Sequence, residues 1–204
     1  MSELLAFVGL GFHHIVNPEA ADHILFLLAL AAIYRLRDWR DALWVVTAFT
    51  LGHSITLALA VTDALTLPTA WIEFLIPVTI VATGIENLLV RDRSRGFWGG
   101  HYRPVFSGVF GLVHGAGFAN YLKSLFIDRV AVPLFGFNVG IELGQVLVLV
   151  AAALAFAGVD HGLERLRRHD TWLPSPSALR LRVVGVSVVV IAVAARWALE
   201  RSPW

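Results

Sequence analysis

The chain has 204 residues, 57% of them hydrophobic and 15% charged, with a net charge of +1 and a mean hydropathy of +0.72. A soluble domain carries about 25% charged residues, so this composition points to a polytopic membrane protein, a single integral domain over residues 1–204 whose first partner is the lipid bilayer. Cysteine is absent, which excludes disulfides and thiolate ligands, and no nucleic-acid-binding signature is present.

Glu3–Val16 is apolar and ends in His13-His14. It is short against the ~20 residues of a full span, so it reads as a short N-terminal helix or as a seventh span completed by the next turn. Asn17-Pro18-Glu19 reads as a helix start, with Asn as cap and Pro in the first position. The first clear span follows, Pro18 to Tyr34, with Asp22 and His23 in its opening turns. After a charged loop at 35–41, the second span, Ala42 to Thr62, carries Thr47, Thr50, His53 and Ser54 on a polar arc. The third, Pro68 to Val90, has Glu73 near its start, Pro77 inside it, and Glu86-Asn87 near its end.

A basic loop spans 91–103. The fourth span, Pro104 to about Leu122, contains His114 and a stripe of small residues, Ser107, Gly111, Gly115 and Ala119. The fifth lies within Val132–Val159. At 100° per residue its Asn138, Glu142 and Gln145 share one face, and Gly136, Gly140 and Gly144 share the opposite one. That glycine face predicts close packing, with the small-residue stripe of the fourth span as the expected partner. A charged loop at 160–182 precedes the sixth span, Leu179 to about Leu199. The expected fold is therefore an all-α transmembrane bundle of six clear spans plus the N-terminal helix. Most Lys and Arg residues fall in the loops 35–41, 91–103 and 160–182. The positive-inside rule makes these loops cytoplasmic in a bacterial-type inner membrane and puts the C-terminus outside.

This topology sets depths. Asp22, His23 and Glu73 lie near the outer surface, and His53, His114, Asn138 and Glu142 lie in the outer half or near the middle. Glu86 and Asn87 lie toward the cytoplasm. Ionisable groups at membrane depth read as functional. His14, Asp22, His23, His53, His114 and Glu142 are the ligand types that suit nickel, zinc or cobalt. Thr50, Ser54, Glu73, Glu86, Asn87, Asn138 and Gln145 are their polar support. The alternative is interhelical hydrogen bonding without a metal. His13, His101, His161 and His169 read as solvated. A hydrolytic site stays open, since three ligands plus a water suffice, although neither a Gly-x-Ser-x-Gly nor a His-Glu-x-x-His motif is present.

Several stretches carry a family resemblance. They are His14-Ile with Asp22-His23-Ile-Leu-Phe, Thr47-Ala-Phe-Thr50-Leu-Gly-His53-Ser54, and Glu86-Asn87. Phe110-Gly-Leu-Val-His114-Gly-Ala-Gly-Phe and Phe137-Asn138 through Glu142-Leu-Gly-Gln145 complete the set. Together they resemble the HupE/UreJ family of small membrane proteins. The resemblance implies metal-handling roles for His14, Asp22, His23 and His114, and a nickel permease or secondary transporter. It leaves room for a homo-oligomer or a metalloenzyme-maturation partner. Seven residues separate His14 from Asp22 where the nickel-permease branch has five, so the chain looks closer to the second, less characterised branch. The expectation is a permease for a divalent metal, nickel favoured over zinc. A metal-dependent intramembrane hydrolase is the alternative, and a structural or assembly subunit is the third reading.

Overall fold

The computed structural model describes residues 3–66, 68–90, 102–125, 130–167 and 177–204. Among these are seven α-helices: α1 (Glu3–Val16), α2 (Ala21–Ala31), α3 (Trp39–Val61), α4 (Thr69–Leu89), α5 (Tyr102–Leu125), α6 (Ala131–Arg167) and α7 (Ala178–Glu200). Most of the expected loop 91–103, and 168–176 of the loop 160–182, lie outside the described residues.

The expectation of six clear spans and a further N-terminal candidate is corrected by this structure. Among the described residues, four segments are long and apolar enough to cross a membrane: Leu36–Val61, Thr69–Leu89, Ala131–Arg165 and Ala178–Glu200. They make the chain a multi-pass membrane protein. Two of the expected spans fail on length. The stretch read as Pro18–Tyr34 is a 3-10 turn, Pro18–Ala20, followed by only the 11 residues of α2, and α1 has 14. At 1.5 Å per residue α2 is about 17 Å long and α1 about 21 Å, against a hydrocarbon core of about 30 Å. α5 is not among these four segments. The loop expected from residue 160 is also corrected: α6 continues to Arg167. Charges end an apolar run there without ending the helix.

Glycine governs the packing. The small-residue stripes of α5 and α6 do not meet each other, contrary to expectation. Each pairs with a different helix that offers its own glycine. A Cβ on Gly136, Gly140 or Gly144 would lie 2.9, 2.1 or 3.1 Å from the carbonyls of Leu4, Val8 and Phe12. α1 therefore runs parallel to α6 with backbones in contact. Likewise a Cβ on Gly111 or Gly115 would lie 2.2 or 2.3 Å from the Phe49 and His53 carbonyls, so α3 and α5 form a second parallel pair. α4 packs against α7, where Gly84 receives Ile191.

Arginines close one end. Arg180 donates to the Asn87 and Leu88 carbonyls at the end of α4 (3.2 and 2.6 Å), and Arg182 donates to the Tyr34 carbonyl (2.9 Å) and to Asp160 (2.8 Å). Positive charge is favourable beside helix C-termini. Asp22 and Tyr34 meet Arg201 and Arg182, so α2 runs against α7. α6 also runs against α7, since Asp160 late in α6 meets Arg182 early in α7. α1 and α2 thus run in the same sense on either side of the turn at Pro18–Ala20.

Candidate metal centre

That interruption places two imidazoles together. His14 is near the end of α1 and His23 near the start of α2, and their ring centroids are 4.7 Å apart. His53 of α3 completes the group, with ring nitrogens of all three residues within 4.8 Å of one another. His53 sits directly after Gly52, whose missing side chain lets α5 approach: a Cβ there would lie 2.0 Å from the Gly108 carbonyl. His114 of α5 stands beside the group, its ring centroid 5.4 Å from that of His23. The walls are aromatic. Phe118 and Phe137 stack on each other and flank His14, while Phe26 and Phe49 flank His114.

Nitrogens in such a setting should have partners, yet several have none among the described residues. His14 Nε2, His23 Nε2, both ring nitrogens of His53 and His114 Nδ1 are buried without a hydrogen bond. His53 is 0% exposed and His114 1%. One tautomer follows from the bonding. Thr79 Oγ1 gives its proton to the Ile76 carbonyl (2.7 Å) and lies 3.1 Å from His114 Nε2. Nε2 must then carry the hydrogen and donate to Thr79, which leaves the Nδ1 lone pair free. Tetrahedral coordination at ~2.0–2.1 Å sets ligand nitrogens about 3.3 Å apart, against the 4.8 Å within which the three lie here. The cluster can hold a metal ion.

The carboxylates stand elsewhere. Asp22 Oδ2 pairs with Arg201 at 3.0 Å. Glu142 accepts from the Thr47 and Thr50 hydroxyls at 2.6 Å each, beside Gln145 Oε1 at 2.8 Å from Thr50 Oγ1. Ser54 donates back to the Thr50 carbonyl at 2.6 Å. Asn138 Oδ1, on the same helix as Glu142, is buried with no partner among the described residues. Glu73 is exposed at the end of α4 away from the arginines. Glu86 and Asn87 bond Arg103, and Asn87 also donates to the Ala29 carbonyl at 2.7 Å. The structure therefore gathers imidazoles without carboxylates. Sequence reasoning did not single out Thr79, Arg103 or the aromatic walls. A signal for one of them existed: Arg103, Ser107 and His114 are spaced 4 and 7 apart, on one face of α5.

A multi-pass helical membrane protein with a buried cluster of imidazoles is the class that fold and site define. The family model described as HupE / UreJ protein matches residues 1–201, and the chain belongs to that family. No curated protein and no solved structure matches the chain.

Proposed function

We propose that the protein passes a divalent transition-metal ion, nickel before zinc, through the cluster of His14, His23 and His53, with His114 beside it. One observation carries this reading: three imidazoles from three helices come together with buried ring nitrogens that have no partner among the described residues. Their chemistry suits nickel, zinc or cobalt. Without a carboxylate or thiolate the donors leave the ion's charge uncompensated, which favours release, and a conducted ion must leave. The end closed by Arg103, Arg180 and Arg182 is cytoplasmic on this reading, and the C-terminus is outside. The donor count favours a second reading. Three imidazoles leave a fourth position for a water, the arrangement of a metal-dependent hydrolase.

The test is elemental analysis and nickel titration of detergent-purified protein, wild type beside His23→Ala and His53→Ala, followed by uptake into proteoliposomes. Exchangeable nickel binding lost in both variants, with metal-dependent flux, supports a permease. One tightly retained metal per chain without flux supports the hydrolase. No metal dependence removes both and leaves a polar core that locks helices together.

A further inference from the structure

A polar line runs from the imidazole cluster toward the arginine end, between α4 and α5. His114 donates to Thr79, and one turn further along α4 Thr83 donates to the Thr79 carbonyl at 2.9 Å. Next comes a partly open pocket of about 20 Å³, with Thr83, Glu86, Tyr102, Arg103 and Ser107 on its polar side and Leu30, Ala82, Phe106 and Phe110 completing a mainly apolar wall. That volume suits one water. Two buried groups at the pocket have no hydrogen-bond partner among the described residues: Ser107 Oγ, on a residue 1% exposed, and Arg103 Nη1, on a residue 6% exposed whose guanidinium also lies against the Tyr34 ring. A buried guanidinium nitrogen without a partner is costly, and a bridging water relieves both groups. Arg103 also closes the far end. Its Nε donates to Glu86 at 3.1 Å, its Nη2 donates to Glu86 and Asn87, and the Tyr102 hydroxyl donates to Glu86.

We propose that this seam is a hydrated access route between the imidazole cluster and the arginine end, and that Arg103 is its gate. Along it the donors change from imidazole nitrogen to hydroxyl and carboxylate oxygen, which hold a transition metal less firmly. In the closed state the guanidinium occupies Glu86, the carboxylate a departing cation would meet, and sets a fixed positive charge across the path. Release of Glu86 by Arg103 removes the repulsion and exposes the carboxylate together. The route deepens the transport reading and rests on it for its cargo, but its existence is testable without a metal.

The chain has no cysteine, so Ser107→Cys supplies a single thiol inside the pocket. The probe is a small cationic thiosulfonate applied to the purified full chain in detergent. Val109→Cys, on the outward face of α5 at 52% exposure, is the control under the micelle. The Ser107→Cys thiol should react slowly with Arg103 present and about tenfold faster or more with Arg103→Ala, as expected when the bonds holding a closed state are lost. The control rate should not change. Arg103→Gln, closer in size, repeats the test, and a cooperative tryptophan-fluorescence melt verifies that each variant is folded. An equal Ser107→Cys rate with and without Arg103 overturns the gate. Reaction as fast as a free thiol with Arg103 in place overturns it too. Nickel flux in proteoliposomes separates the two readings. An opened thiol without flux in the wild type refutes transport and leaves the route standing. Flux with a thiol that stays sealed in every variant refutes the route and leaves transport standing.

Discussion

Gly52→Ala tests whether the backbone contact between α3 and α5 sets the geometry of the cluster. The added Cβ would lie 2.0 Å from the Gly108 carbonyl oxygen and 2.9 Å from its carbon, whereas real Cβ contacts do not fall below 3.0 Å. The obstacle is backbone, so no side chain can swing aside, and the helices must part by about 1 Å, the difference between those two distances. Overpacking of this kind costs ~1–3 kcal/mol, and the absence of a flexible neighbour places it at the upper end. Alanine returns up to ~1 kcal/mol of helix propensity, so the net loss is about 2 kcal/mol. At ~2–4 °C per kcal/mol for a chain of this size, Tm should fall by several degrees in a tryptophan-fluorescence melt. Nickel affinity should fall with it, because His53 moves with Gly52. Gly158→Ala and Gly185→Ala are the controls, since a Cβ at either position meets nothing within 4 Å. If Gly52→Ala melts with these controls and binds nickel as the wild type does, the glycine-contact argument is wrong.

Thr50→Val removes the hydroxyl shared by Glu142 and Gln145 and should lower stability by ~1–3 kcal/mol in a denaturation midpoint, the range for an orphaned buried polar group. Ser54→Ala deletes only a bond to its own helix, so its effect should stay within ~0.5 kcal/mol. Asp22→Asn breaks a partly exposed pair with Arg201, in which the Asp22 side chain is 22% exposed and that of Arg201 33%. It should cost no more than ~1 kcal/mol and leave nickel titration unchanged, whereas a large loss of nickel affinity would return Asp22 to the donor set. Asn87→Ala leaves the Ala29 carbonyl and part of Arg103 without their partner and should lower the melting midpoint by ~1–3 kcal/mol equivalent.

Apolar run length was enough to find α3, α4, α6 and α7, because a span is chiefly a matter of continuous apolar residues. It misread Pro18–Tyr34, where a proline turn uses up residues that hydropathy counts as span. Angular arithmetic on α6 was informative: Glu142 and Gln145 face α3 while the glycines face α1. Which helix a glycine stripe meets was not readable, since small residues mark a face and not its partner. The same limit applied to the site. Residue types put Asp22 and Glu142 with the histidines, but adjacent residues on a helix diverge by about 100°. Asp22 turns to Arg201 while its neighbour His23 turns inward.

The two glycine-sewn pairs have a mechanical consequence. Backbones in contact cannot slide without collision, so α1 with α6 moves as one stiff body and α3 with α5 as another. His14 rides on the first, His53 and His114 on the second, and His23 on neither. The Thr47 and Thr50 bonds to Glu142 clasp the two bodies, with Thr50 one turn before His53. Any slip between the bodies therefore separates His14 from His53 and undoes the clasp in the same movement. An ion bound across the cluster works as a bolt through that joint, and its departure and the loosening of the joint are a single event.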